Sequence, residues 1–102
     1  MSVYVSVEDK ECETLTEVFE LNAIFKRFPE SGVCLRFVKE TSDASFNSLQ
    51  GPFLLAELEA LVPLAVMDSE RKELDRLIKL CRRYSANPNV FIRFYGESKG
   101  EA

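Results

Sequence analysis

Histidine is absent from this chain. Its absence excludes Ser–His and Cys–His nucleophilic sites, histidine general bases and nearly every catalytic zinc site. Glycine is scarce, with 4 residues, and neither a G-x-G-x-x-G nor a P-loop pattern occurs, so no loop is suited to hold a phosphate group. We therefore expect a protein that is not an enzyme and that binds no cofactor.

Cysteine is also sparse. The three cysteines, Cys12, Cys34 and Cys81, form no close pair and no C-x-x-C motif, so neither a disulfide framework nor a structural metal site is expected. The chain lacks the pattern of a signal peptide, and no apolar run approaches the ~20 residues of a membrane-spanning helix. These features favour a cytoplasmic protein that has neither a metal nor a membrane as its partner.

Size and composition indicate one folded domain. A chain of 102 residues with 46% hydrophobic and 29% charged residues can bury a core without disulfides. The residues after Gly96 are mostly polar, so we expect a single domain over residues 1–96 and a frayed polar tail over 97–102. The net charge of −4 argues against nucleic acid as the main partner.

Charge is unevenly distributed along the chain. Residues 8–20, which we name the acidic segment, contain six acids and one lysine, a net charge of −5. Residues 71–83 contain six bases and two acids, a net charge of +4. The simplest interpretation is two solvated surfaces that keep the protein soluble. The alternative is that the acidic segment contacts a partner.

Residues 68–95 predict a helix, a turn and a strand. Apolar side chains recur at helical spacing over residues 68–84, and charged residues fill most other positions. Asp68 is a candidate N-cap, because its carboxylate can accept a bond from a first-turn N–H group. Pro88 cannot continue a helix, and the β-branched and aromatic run 90–95 then favours a strand. The core side of this strand is formed by Val90, Ile92 and Phe94.

Three further strands are predicted. Alternation over Ser2–Val7 indicates a half-buried strand. Val33–Val38 has the β-branched and aromatic composition of a second strand. Ala44–Leu49 predicts a short third strand beside the second, although its asparagine and serines are poor strand formers.

Two further helices complete the predicted elements. Thr14–Phe28 begins with the Thr-x-x-Glu pattern of a capping box and continues with apolar residues that suit a core-facing helix. An alternative interpretation makes Leu15–Leu21 a strand, since threonine, valine and phenylalanine favour strands. Another helix begins with Pro52 in its first turn and ends at Pro63. Because this helix is apolar on two sides, we expect it to be well buried.

A short internal echo guides the prediction of the fold. Val33–Glu40 and Val90–Glu97 share the pattern Val-x-(Leu/Ile)-Arg-Phe-x-x-Glu. If each closes a strand–helix–strand unit, the order is βαββαβ with the second helix split at Pro63, as in a ferredoxin-like fold. We therefore predict an α+β two-layer sandwich, with a mostly antiparallel sheet of three or four strands and helices on one face. A three-stranded sheet covered by three helices is the alternative.

Arg36 and Arg93 occupy the same phase of the two echoing strands, opposite the face assigned to the core. A two-layer fold leaves that face of the sheet open, and aromatic residues with arginine supply much of the binding energy at protein interfaces. The simpler alternative is that both arginines pair with nearby acids, Glu40 and Glu97. The predicted open face also contains Tyr4, Phe91, Tyr95, Cys34 and Val38.

The leading hypothesis is a small cytoplasmic, non-catalytic domain that binds another protein. The partner is a second copy or a different protein, held through the open sheet face or the acidic segment. One version is an acidic inhibitor or immunity-type protein, whose charge would steer it to a basic site on a toxin or nuclease. A second hypothesis is a small-molecule sensor that holds an anionic ligand with Arg36 and Arg93.

Overall fold

Four strands and two α-helices make up the regular structure of the described residues. The computed structural model describes residues 2–11, 13–15, 18–39, 43–84 and 86–96. The strands are β1 (Val3–Asp9), β2 (Phe19–Leu21), β3 (Asp43–Phe46) and β4 (Val90–Gly96). The helices are α1 (Gly51–Glu59) and α2 (Asp68–Tyr84). Short 3₁₀ turns, named first, second and third, span Ile24–Arg27, Leu35–Phe37 and Val62–Leu64.

The strands form one antiparallel sheet in the order β2-β1-β4-β3. The central strands β1 and β4 pair along their whole length, from Val3 opposite Gly96 to Asp9 opposite Val90. This confirms the predicted α+β fold with an antiparallel sheet. The ferredoxin-like order is not confirmed, because β1 pairs with β2 and no helix lies among the described residues between them.

The core lies on one face of the sheet, as the alternation predicted. In β1, Val3, Val5 and Val7 are fully buried. In β4, Phe94 packs edge-on against two other rings, with centroid distances of 6.4 Å to Phe28 and 5.9 Å to Phe46. The helices α1 and α2 add their apolar side chains to this single core. None of the helices in the described ranges has the length and apolar character needed to span a membrane.

Helix α2 spans the predicted residues 68–84, but its N-terminus is capped differently than predicted. The carbonyl of Met67 accepts the first helical bond from the Arg71 N–H, at 3.0 Å, so Met67 is the N-cap. Asp68 therefore lies inside the first turn. The carboxylate of Glu70 accepts hydrogen bonds from the N–H groups of Met67 and Val66, at 3.2 and 3.1 Å, as the glutamate of a capping box does.

The helix predicted over Thr14–Phe28 is wrong. The segment instead contains β2, which pairs Phe19 with Val5, and the first 3₁₀ turn. The alternative of a strand within Leu15–Leu21 is correct for the part that forms β2. The turn after β2 is held from outside, because Glu73 of α2 accepts the N–H groups of residues 22–24 at 2.9–3.0 Å. A strand along β1 and a carboxylate from α2 thus satisfy the backbone groups that a helix would have used.

The strand predicted over Val33–Val38 is also wrong. Leu35–Phe37 is the second 3₁₀ turn. Three successive N–H groups, those of residues 33–35, donate to the carboxylate of Glu57 on α1 at 2.8–3.3 Å. Because this carboxylate satisfies the backbone donors, the segment needs no neighbouring strand. The echo between residues 33–40 and 90–97 therefore does not mark two equivalent strands.

The third predicted strand is present as β3, but it is shorter than predicted and pairs with β4 instead of with the segment 33–38. It ends where the side chain of Asn47 accepts the N–H groups of Leu49 and Gln50, at 3.0 and 3.2 Å, and forms a turn. Helix α1 follows, with Pro52 in its first turn as predicted. Its expected deep burial is wrong, since Phe53 is 58% exposed. The predicted tail over 97–102 lies outside the described residues.

Candidate functional site

The second face of the sheet, turned away from α1 and α2, carries the candidate site. The strand register places its side chains in three cross-strand rows. The first row is Glu20, Tyr4, Tyr95 and Asp43, the second is Ser6, Arg93 and Ser45, and the third is Thr14, Glu8 and Phe91. We name this surface the acidic face. It contains four of the five predicted site residues: Tyr4, Phe91, Arg93 and Tyr95.

Arg93 lies at the centre of the acidic face and is held by two carboxylates. Its guanidinium donates to Glu8 at 3.0 Å and to both carboxylate oxygens of Asp43. It also lies 4.5 Å from the centroid of the Tyr95 ring. Hydrogen bonding to Asp43, with a smaller contribution from Glu8, raises the pKa of Arg93 above its ordinary value, although desolvation acts in the opposite direction. Arg93 is therefore a permanent cation, and the carboxylates of Glu8 and Asp43 balance its charge.

Two tyrosines form the aromatic end of the acidic face. The rings of Tyr4 and Tyr95 stack with their centroids 5.6 Å apart. Their row begins with Glu20 and ends with Asp43, so a carboxylate lies on each side of the pair. Glu20 is oriented by the hydroxyl of Ser2, which hydrogen-bonds it and also Asn22. The stacked rings thus lie between two acidic groups.

The acidic segment and the acidic face have residues in common. Glu8 comes from the end of β1 and Glu20 from β2, so both ends of the segment contribute side chains to the acidic face. Between them, the carboxylate of Asp9 accepts the N–H groups of Glu11 and Glu13, each at 2.9 Å, and shapes the turn after β1. The three rows contain three carboxylates and one guanidinium, a net charge of −2. The acidic segment and the sheet face, which the sequence presented separately, thus share Glu8 and Glu20.

Arg36, the fifth predicted site residue, does not lie on the sheet. It belongs to the second 3₁₀ turn, where its guanidinium lies 4.7 Å from the centroid of the Phe37 ring. Cys34 and Val38 were also predicted on the open face, and both are buried in the core. The acids proposed as partners of the two arginines, Glu40 and Glu97, lie outside the described residues. Arg36 and Arg93 therefore do not share the sheet face on which the sequence placed them.

The buried thiols are not reactive centres. Burial, followed by the charge of Glu57, raises the pKa of Cys34 to about 11. Burial, followed by interaction with Cys34, raises the pKa of Cys81 to about 12. Both groups are therefore neutral thiols at neutral pH, and the thiolate is the nucleophilic form. Cys12 lies outside the described residues.

Sequence reasoning missed three carboxylates of the acidic face: Glu8, Glu20 and Asp43. The missing information was the register, since Glu8 lies diagonally from Arg93 only because Ser6 pairs with Arg93. Alternation along β1 does place Glu8 on the side of Tyr4, which was the available signal.

Comparisons of the chain with protein-family models, with curated protein sequences and with solved structures found no match.

Proposed function

We propose that this chain is a non-catalytic cytoplasmic domain that binds a basic surface of another protein through its acidic face. The observation that carries the proposal is the continuity of the two candidate surfaces. Glu8 and Glu20 of the acidic segment share a face with the Tyr4–Tyr95 stack. Tyrosine and arginine are enriched at protein interfaces, and the surplus of carboxylates around them is complementary to a basic partner.

Charge favours a basic partner over a second copy of the chain. A two-fold dimer through the acidic face would bring two surfaces, each with a net charge of −2, against one another. Like charges at an interface oppose association. Arg93 does not relieve this repulsion, because Glu8 and Asp43 of its own chain already bind it.

The proposed contact has a simple chemistry. A lysine or arginine side chain of the partner would lie beside the Tyr4–Tyr95 stack, whose Tyr95 ring already faces the Arg93 of its own chain. Glu20 and Asp43, at the two ends of the same row, would accept its hydrogen bonds. The acidic segment beside the stack would steer the partner during diffusion, which makes association sensitive to salt.

Affinity capture from native cytosol tests the proposal with four forms of the chain. The tested forms are the original chain, Tyr95→Ala, Glu20→Gln and a control, Lys72→Ala, whose side chain is exposed on α2. We expect a basic protein that is retained by the original chain and the control, and released at about 0.5 M salt. Tyr95→Ala should reduce retention about tenfold or more, as loss of an interface tyrosine does.

Two results would contradict the proposal. One is retention of the same protein, at the same level, by all four forms. The other is a captured protein that is acidic and resists salt. Both tyrosines of the stack are only half-buried, so Tyr95→Ala is expected to fold. A melting curve of each variant checks this.

A further inference from the structure

A groove between the first and second 3₁₀ turns has the opposite charge to the acidic face. Its volume is about 380 Å³, which lies in the range of small-molecule sites. Lys26, Arg36 and Lys39 line it together with one acid, Glu30. The aromatic rings of Phe25 and Phe28 form part of its apolar wall. We name it the basic groove.

Two of its cations have no acidic partner among the described residues. Within the part of the chain that the structure describes, no carboxylate lies within ion-pair distance of Lys26 or Arg36. Arg93, by contrast, binds two carboxylates, and Arg27, next to Lys26, binds Glu70. In a chain of net charge −4, a groove lined by three cations and one acid is a local reversal of sign.

The walls of the basic groove are held in place from the helix layer. The turn that carries Lys26 is pinned by Glu73, which accepts the N–H groups of residues 22–24. The turn that carries Arg36 is pinned by Glu57, which accepts the N–H groups of residues 33–35. Groups that are already positioned lose less conformational entropy when a ligand binds.

We propose that the basic groove binds a small organic anion, with a carboxylate or phosphate head and an apolar body. The head pairs with Lys26 and Arg36, which supply charge-assisted hydrogen bonds. The body lies against Phe25 and Phe28. Phe28 contacts Phe94 on the core side of the sheet, so the groove and the acidic face lie on different sides of the sheet and the two proposals are independent.

An NMR titration of the full chain with matched ligand pairs tests this site. The probes are 4-phenylbutyrate and phenyl phosphate, each with a neutral analogue, 4-phenylbutanamide and phenol, and inorganic phosphate as a head group without a body. We expect both organic anions to shift the amide signals of residues 25–30 and 35–39. The neutral analogues and inorganic phosphate should bind at least about tenfold more weakly, because each lacks one half of the contact.

Substitutions identify the cations involved. Arg36→Gln and Lys26→Gln should each weaken binding of the organic anions about tenfold. Lys72→Gln removes one exposed positive charge on α2 and should leave affinity unchanged. Equal binding of the anions and their neutral analogues would overturn the proposal, as would equal weakening by all three substitutions. Absence of binding by every organic anion at about 10 mM would also overturn it.

Discussion

Arg93 shows how one residue organises the acidic face. It lies on a central strand, opposite Ser6, and connects two carboxylates that are distant in the sequence. Glu8 reaches it from β1, where its side chain is only 12% exposed, and Asp43 reaches it from β3. Removing the guanidinium would leave two carboxylates close together without their shared donor.

Arg93→Ala is therefore expected to lower the free energy of unfolding by about 1–2 kcal/mol. Arg93→Lys should recover part of this loss, because an ammonium keeps the charge but lacks the planar fork that serves two carboxylates. Urea unfolding at neutral pH measures both. The control is Arg82→Ala, which breaks an exposed pair with Glu59 and should cost at most about 0.5 kcal/mol. Equal stability of Arg93→Ala and the control would show that the central pairs are screened by water.

Gly32 occupies a position where both the backbone conformation and the available space favour glycine. Its φ of +98° is a conformation that other residues rarely adopt, and an added Cβ would lie 2.8 Å from Oε2 of Glu57. Gly32→Ala should lower the free energy of unfolding by about 1–3 kcal/mol, as measured by urea unfolding. In a Glu57→Ala background the same substitution should cost less, because the close contact has been removed. Identical costs in both backgrounds would show that the backbone conformation alone sets the penalty.

Glu70 gives a prediction about pH. A hydrogen bond from Arg27, followed by one from the Met67 N–H, lowers the pKa of Glu70 below its ordinary value of 4.5. Because the pKa is lower in the folded state, the stabilisation is fully present above pH 4.5 and is lost as pH falls through the folded-state value. The stability advantage of the original chain over Glu70→Gln should therefore shrink below pH 4.5. Urea unfolding between pH 7 and pH 3 checks this, and parallel pH profiles would contradict it.

At the scale of elements, the helix α2 and the segment 33–38 contrast most clearly. The sequence predicted the span of α2 from its apolar stripe, its terminal charges and Pro88, although the N-cap is Met67 and not the predicted Asp68. The segment 33–38 has the composition of a strand, yet Glu57 captures its backbone donors and the sheet does not include it. The predicted sides are wrong as well, because Cys34 and Val38 were assigned to the open face and are buried, whereas Val33 and Phe37 are 56% and 49% exposed.

We therefore expect Glu57 to stabilise the fold by holding the backbone of residues 33–35. Glu57→Ala should lower the free energy of unfolding by about 1–3 kcal/mol, because three backbone donors lose their acceptor. Glu59→Ala, two residues further along α1, is the matched control. It breaks only the exposed pair with Arg82 and should cost at most about 0.5 kcal/mol. Thermal or urea unfolding compares the two, and equal effects would show that water replaces the carboxylate at residues 33–35.

The whole molecule has layers of opposite charge. The outer face of the sheet contains the acidic face, and the outer side of α2 contains the exposed bases of residues 71–83. The sequence indicated both charged segments but not their positions. The fold places them on opposite surfaces, because the apolar sides of β1, β4 and α2 meet in one core between them.

This arrangement predicts the behaviour of the chain in solution. Because the acidic face repels a second copy of itself, we expect light scattering on a sizing column to give the monomer mass of 11.6 kDa at about 0.15 M salt. Higher salt should leave that mass unchanged. A dimer that persists at high salt would contradict the proposed partner, since it would show that the aromatic side chains of the face bind another copy.

The sequence by itself determined the features that depend on local periodicity. Alternation in β1 and β4, helical spacing in α2 and the helix-ending Pro88 identify these elements and their buried sides. They also place Tyr4, Phe91, Arg93 and Tyr95 on the outer face of the sheet. These features follow from neighbouring residues, whose side chains must all reach the same core.

Tertiary structure alone decided which segment pairs with which. It placed Glu8 and Asp43 around Arg93, made Phe19–Leu21 a strand, and kept Arg36 away from the sheet. Each of these outcomes depends on a partner far along the chain: a strand register, or a helix carboxylate such as Glu57 or Glu73. The local sequence shows that a backbone donor or a charged side chain needs a partner. Which distant residue becomes that partner depends on how the sheet and the helices pack together.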